Sequence, residues 1–201
     1  MGRASINKNW KLHVWNWLRL CKNNWYERLN KNAGNQHKKI NSKKKRISDK
    51  NRLIDLIGDY RVSKTLCGVP HPYNDADADY WLNCVKANEF KLSIFQNSVL
   101  IGGISLDAER DDSYCEFGYW LGFEYWGKGY ATEASNAFLN YIRTNTSHKH
   151  IKATVHKGNN VSSKVLLKVG FKKISDEKVK YSHNKQNIPI LTYELTANNN
   201  R

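Results

Sequence analysis

Two glycines and an alanine stand at alternate positions in "YWGKGYATEA", Tyr125 to Ala134: Gly127, Gly129 and Ala131. The stretch follows a β-rich run, "SYCEFGYWL", and leads into a helix-forming one, "ATEASNAFLNYIRTNT". A strand that turns into a helix through such residues presents unpaired backbone N–H groups, and the helix dipole adds partial positive charge. That combination binds anions, and a phosphate needs the close backbone approach that glycine permits. A lone Gly-x-Gly fits a plain turn equally well, so the surrounding elements must decide between the two. Lys128 is either an added charge beside a phosphate or an outward, solvated lysine.

Other reactive groups are dispersed. Cys21, Cys67, Cys84 and Cys115 form no CxxC pair and no zinc-like spacing, so free thiols in a reducing compartment are expected, and no metal centre. No apolar run approaches the ~20 residues of a membrane span. Charged and amide residues interrupt the first segment where a signal peptide would be continuously apolar. A cytoplasmic protein is the expectation.

The 201 residues fit one domain plus an extension, and 40% hydrophobic content is enough for a core. A net charge of +15 suggests a nucleic-acid binder until its distribution is read. Residues 1–52 carry 15 of the 33 basic residues against Glu27 and Asp49, whereas residues 53–201 are within two charges of neutral. The basicity thus belongs to the first quarter. There, Trp10, Trp15, Trp17 and Trp25 lie among bases without one clean helical stripe, and "KNAGNQHKKINSKKKR" has the composition of a linker. Residues 1–46 read as a poorly ordered basic extension with a possible weak nucleic-acid or ribosome contact, and 47–197 as the folded domain.

Within that domain Ser48 or Asp49 can cap a helix with Leu53, Ile54, Leu56 and Ile57 inward, ending at Gly58. A loop, "CGVPHPYND", precedes a second helix capped at Asn74 or Asp75, with Tyr80, Trp81 and Val85 facing inward. From Phe90 the period becomes that of strands: "FKLSIFQ" and "VLIGGISLD" as a hairpin about Asn97-Ser98, then a third strand breaking near Gly122. The helix after Gly129, a strand "IKATVH", a short helix "NNVSSKVLLKVGF" and strands at 172–180 and 190–196 follow. The order predicts an α/β domain: a mixed, mostly antiparallel sheet with helices on both faces.

"WGKGYATEA" after "FGYWL", with "NNVSSKVLLKVGF" some thirty residues on, resembles the GNAT N-acetyltransferase superfamily, and most nearly its RimJ/RimL-like branch of ribosomal-protein acetyltransferases. The likeness runs from about Ile47 to Thr196. It implies the GNAT fold with a splayed strand pair that binds acetyl-coenzyme A (acetyl-CoA). The family's pyrophosphate loop falls on Trp126, Gly127, Lys128, Gly129, Tyr130 and Ala131, with Thr132 in the first helical turn. Trp126 stands where many relatives carry Gln or Arg. The strand at Tyr119, Trp120 and Leu121 would pair with the pantetheine arm, Asn160 matches the family's Asn near the coenzyme, and Ser163 its helix Ser. Asn160 also reads as a helix cap.

The implied reaction is acetyl transfer to a primary amine, the N-terminal amine of a protein in the branch's pattern. A small amine such as an antibiotic or polyamine is the alternative within the class; a non-catalytic RNA- or ribosome-docking protein is the alternative outside it. Amines with pKa near ~8 to ~10.4 must lose a proton, which a base assists. Glu116, on the third strand as in several of these acetyltransferases, is the expected base, sharing a pleat face with Gly118 and Trp120. Strand N–H groups would hold the oxyanion. The position of the family's acidic Tyr holds Leu166, leaving Ser163 or water to protonate the thiolate. His71 in "PHPY" is a weaker acceptor-pocket candidate. The family's first strand, begun at "YERLN", gives way to the linker-like stretch.

Overall fold

The computed structural model describes residues 40–43, 49–87, 90–97, 99–108, 114–148, 150–180 and 187–196, all within one unit spanning 40–201. The tryptophan-rich stretch, residues 31–39 and 44–46 of the lysine-rich linker, and Ser48 lie outside the described residues, whereas 40–43 of that linker form a strand. Seven strands form one sheet: β1 (Ile40–Lys43), β2 (Lys91–Gln96), β3 (Val99–Ala108), β4 (Cys115–Leu121), β5 (His150–His156), β6 (Lys172–Lys180) and β7 (Asn187–Thr196). Their spatial order is β1-β2-β3-β4-β5-β7-β6, and every neighbouring pair is antiparallel except β4 with β5. β1 pairs with β2 from Ile40↔Gln96 to Lys43↔Ser93, so the sheet begins inside the segment 1–46 read as an extension. The expected mixed, mostly antiparallel sheet is the one observed.

Helices cover both faces. α1 (Lys50–Gly58) buries Leu53, Leu56 and Ile57, a stripe at helical spacing. Asp49 stands at its cap position and makes no side-chain cap hydrogen bond there. The single turn α2 (Tyr60–Ser63) is capped by Asp59, which accepts from the amide of Arg61 at 2.9 Å. α3 (Asp75–Ala87) starts with a reciprocal cap: Asn74 Oδ1 accepts from the amides of Ala76 and Asp77, and Asp77 Oδ2 from that of Asn74.

The inward face of α3 is Ala78 and Leu82, with Trp81 half-buried. Tyr80, expected inward, is 73% exposed. Two residues past Ala78 is about 200° around the helix, so Tyr80 must point away from the stripe that Ala78 and Leu82 define. The Val85 side chain lies outside the described ones.

α4 (Tyr130–Asn145) links β4 to β5, and α5 (Asn160–Lys168) links β5 to β6. Against them packs the larger core, including Leu106, Phe117, Phe138, Ile142, Ile151, Leu166 and Phe171, all at most 2% exposed. Burial of each such side chain contributes about 1.5–3 kcal/mol, which fixes both helices on the sheet. The opposite face carries a second core of Leu53, Leu56, Ile57, Tyr73, Ala78, Leu82, Phe95, Leu100 and Trp120. Trp120 lies over Gly102 and Gly103: a Cβ on Gly103 would fall 2.6 Å from the indole Nε1, and one on Gly102 2.2 Å from the Trp120 carbonyl. Gly103 in "IGGIS" therefore makes room for that ring, and Gly102 for the Trp120 main chain and the Leu121 side chain. Among the described residues no helix is long and apolar enough to cross a membrane.

Candidate active site

β4 and β5 pair at only two positions, Cys115↔Ile151 and Glu116↔Lys152, and then part. The sheet thus opens into a notch whose arms are Phe117–Leu121 and Ala153–His156. A cavity of about 260 Å³ occupies this region. On the α4/α5 face it is lined by Gly127, Gly129, Ala131, Thr132, Asn159 and Ser162, and on the opposite face by Val62, Thr65 and Leu66. Tyr119, Trp120 and Leu121 line it from the strand itself. Lining residues on both faces mean that the cavity passes through the sheet where the strands separate.

A 3₁₀ turn, Phe123–Tyr125, carries the chain from β4 to α4. Gly127 and Gly129 then adopt φ of +72° and +83°, the left-handed region that L side chains rarely enter. A Cβ at either would meet nothing within 4 Å. The glycines are required by backbone conformation, and the space in front of them is open. Gly129 is the N-cap of α4 and has no side-chain cap bond. Among the described residues, the backbone bonds outside helices and strands include none donated by the amides of 127–132. Main-chain donors, a helix N-terminus and open space coincide, an arrangement that fits a diphosphate.

Trp126 serves the loop through its side chain. Its Nε1 donates to the Leu121 carbonyl at 2.8 Å, fastening the loop back onto the end of β4. Tyr130 is buried and its hydroxyl pairs with Gln96, anchoring the first turn of α4 to β2. Ala131 and Thr132 are half-buried in the lining. Lys128 is exposed and outside the lining, its ammonium 5.7 Å from the Tyr125 ring centre.

The α5 side is shifted by one residue from expectation. Asn159, not Asn160, caps the helix, accepting from the Ser162 amide at 3.2 Å, and both Asn159 and Ser162 line the cavity. Asn160 is the exposed first helical residue, and Ser163 points its buried Oγ away from any hydrogen-bond partner and lies outside the lining. The same Asn-x-x-Ser spacing starting at Asn159 was readable in the sequence; the doubled Asn and doubled Ser allow either register. Ser162 Oγ accepts from the Tyr119 hydroxyl at 3.2 Å. Burial pushes the Tyr119 pKa up, with the Ser162 bond opposing, so the phenol is protonated at neutral pH.

Glu116 is half-buried at the closed end of the notch, between Asp107 and Lys152 in register, and outside the cavity lining. At ~3.3 Å per residue it is roughly 10 Å along the strand from Tyr119. His71 is exposed, with Nδ1 3.1 Å from Ser63 Oγ, and is also outside the lining. Sequence reasoning missed Val62, Thr65 and Leu66, which no motif marks. Among the described residues no cluster of three or more His, Cys, Asp or Glu could hold a metal ion.

Comparison with known proteins gives consistent results. Residues 43–172 match the acetyltransferase (GNAT) domain family. An uncharacterised N-acetyltransferase p20 of Bacillus licheniformis is 32% identical over 89 residues, covering 44% of this chain and half of that protein's length. Among solved structures, spermidine N-acetyltransferase from Vibrio cholerae, in complex with CoA and spermine, superposes with a TM-score of 0.67 at 16% identity, over 80% of this chain and 95% of the other. RimL, a ribosomal-protein α-N-acetyltransferase in complex with coenzyme A, gives 0.67 at 14% identity, over 80% and 95%. With a family match over residues 43–172, and a sheet opened between the parallel strands β4 and β5 beneath a glycine-capped helix, this chain belongs to the GNAT acetyltransferase family.

Proposed function

We propose that this acetyltransferase takes its acetyl group from acetyl-CoA and gives it to a primary amine, the N-terminal amine of a protein. The main chain of residues 127–132 carries the donor half of this reading. Two left-handed glycines, a helix start and free amides offer a diphosphate its ligands without any charged side chain. Gly127, Gly129, Tyr130, Ala131 and Thr132 would hold the pyrophosphate, and Tyr119–Leu121 would flank the pantetheine arm in the notch. When bound, the coenzyme supplies a thioester activated toward amines. Trp126 keeps loop and strand in register for it, and the protonated Tyr119 phenol, aimed at Ser162, closes the wall on the α5 side.

For the acceptor, the likeness to RimJ/RimL-like enzymes and to RimL supports a protein N-terminus. A polyamine or other small amine is the second reading, supported by an equal TM-score to the spermidine enzyme. Two measurements test the proposal. Acetyl-CoA at a hundred times its Kd should stabilise the protein by about 2.7 kcal/mol, by mass action on the native state. A labelled acetyl donor should then mark one class in a panel of peptides with varied first residues, polyamines and amine antibiotics. Failure of millimolar acetyl-CoA to raise the melting temperature defeats the donor assignment. Labelling of polyamines or antibiotics alone transfers the acceptor to the second reading.

A further inference from the structure

β5 forms the second arm of the notch, and His156 is its last residue. Ile151, Ala153 and Val155 are buried in the α4/α5 core, so strand alternation turns Lys152, Thr154 and His156 to the opposite face. That is the face of Trp120 and of Val62–Leu66, where the cavity emerges after crossing the sheet. If the diphosphate lies at the start of α4, the acyl end of the ligand must reach this far side.

His156 is not itself a lining residue, but segments that line the cavity lie on either side of it. One ring N–H of His156 donates to the carbonyl of Lys64, between lining residues Val62 and Thr65, and the His156 carbonyl accepts from the amide of Asn159 at 2.9 Å. Its Nε2 is buried with no hydrogen-bond partner. Leaving such an atom unpaired is unfavourable, a cost that a reacting group recovers when substrate supplies the partner. Burial pushes the imidazole pKa down, with the Lys64 main chain opposing, so the ring is neutral at pH 7.

Neighbouring charges are engaged elsewhere. The Lys64 ammonium lies 5.7 Å over the Tyr60 ring, that of Lys157 is 3.0 Å from Asp176, and that of Lys152 is 4.0 Å over the Tyr114 ring. His71 faces Ser63, Glu116 sits in register with Lys152 toward the closed end, and the β7 residue opposite His156 is Ile190.

We propose that His156 accepts the proton of the incoming amine at Nε2, an inference that rests on the acetyl-transfer reading above. The ammonium gives one proton to the neutral imidazole and regains its lone pair. That pair forms the N–C bond to the thioester carbonyl carbon, and the C–S bond breaks with its electrons on sulfur. The second proton shed by nitrogen goes to the thiolate, and the imidazolium passes its own to solvent. One amide, one thiol and one released proton result.

Diethyl pyrocarbonate, which acylates neutral imidazoles, tests the placement without an acceptor. Acetyl-CoA should slow modification of His156, followed by peptide mass, at least tenfold. The 3′-phospho-ADP fragment, filling only the phosphate end, should slow it less than twofold. No modification in the free protein, or equal rates with and without acetyl-CoA, overturns the proposal. In His156→Gln, acetyl-CoA protection against melting should be unchanged, while turnover of the amine labelled in the panel falls about 10²-fold and the acid limb of kcat/KM disappears. His156→Asn replaces this variant if it does not fold. A variant that keeps both limb and rate, or one that loses acetyl-CoA protection, overturns the assignment. Loss of protection in the wild-type protein instead defeats the donor reading beneath it.

Discussion

The two ends of the cavity are built from different materials. At residues 127–132 the surface offered to a ligand is main chain: amides, a helix start and two glycines whose φ angles are positive. At the far end it is side chains, Val62, Thr65, Leu66 and Trp120, brought from separate segments, with His156 behind them by our proposal. A main-chain site depends on conformation and open space and is insensitive to most side chains around it. A side-chain site depends on the identity of each residue and can change its substrate by exchanging one. A common donor and a variable acceptor follow naturally from that division.

Substitutions at the main-chain end should produce the largest effects. Gly129→Glu forces a side chain into left-handed backbone and places like charge before the helix start. Loss of acetyl-CoA affinity of more than about 10²-fold by calorimetry is expected. Affinity within threefold of wild type would mean the loop is a structural turn only. Trp126→Phe keeps the ring but removes the donor to the Leu121 carbonyl. A bond of this kind is worth about 0.5–1.5 kcal/mol, so coenzyme affinity should fall roughly three- to tenfold. Thermal melting should shift with it, because loop and strand lose the same tie.

How the two ends could be read in the sequence follows from the same contrast. Glycines at alternate positions before a helix announce a backbone site directly, and the strand and helix periods on either side gave the sheet, the hairpin at Asn97 and the order of elements. Long-range assembly left no local mark. Nothing in "RVSKTL" says that Val62, Thr65 and Leu66 will wall a cavity beside β4. Tyr80 was misplaced because the acid-rich start of α3 blurs its stripe. The α5 register slipped because Asn159-Asn160 and Ser162-Ser163 repeat each type. The cavity lining and the hydrogen bonds from the Ser162 amide to Asn159 Oδ1 and from the Tyr119 hydroxyl to Ser162 Oγ distinguish them.

That register gives a smaller prediction. Asn159→Ala removes a cap and should destabilise the domain by about 1 kcal/mol and weaken coenzyme binding, whereas Asn160→Ala should stay within about 0.5 kcal/mol of wild type. Equal effects in denaturant melts would return the site to Asn160. The smallest effect concerns pH. The folded-state pKa of His156 is lowered, so the unfolded chain binds the proton more readily. The neutral ring's contribution is whole above the unfolded value of ~6.5 and is lost as pH falls from there through the folded value. Wild-type melting temperature should therefore drop more steeply between pH 7.5 and 5 than that of His156→Gln. Parallel profiles would show that the ring titrates as in the unfolded chain.

The most direct test of the account is a titration of ¹⁵N-labelled protein with acetyl-CoA, followed at the backbone amides. The main-chain cradle predicts large, saturable shifts at Gly127, Gly129, Ala131 and Thr132, accompanied by Tyr119–Leu121. Saturable binding that leaves the amides of 127–132 unmoved would contradict it.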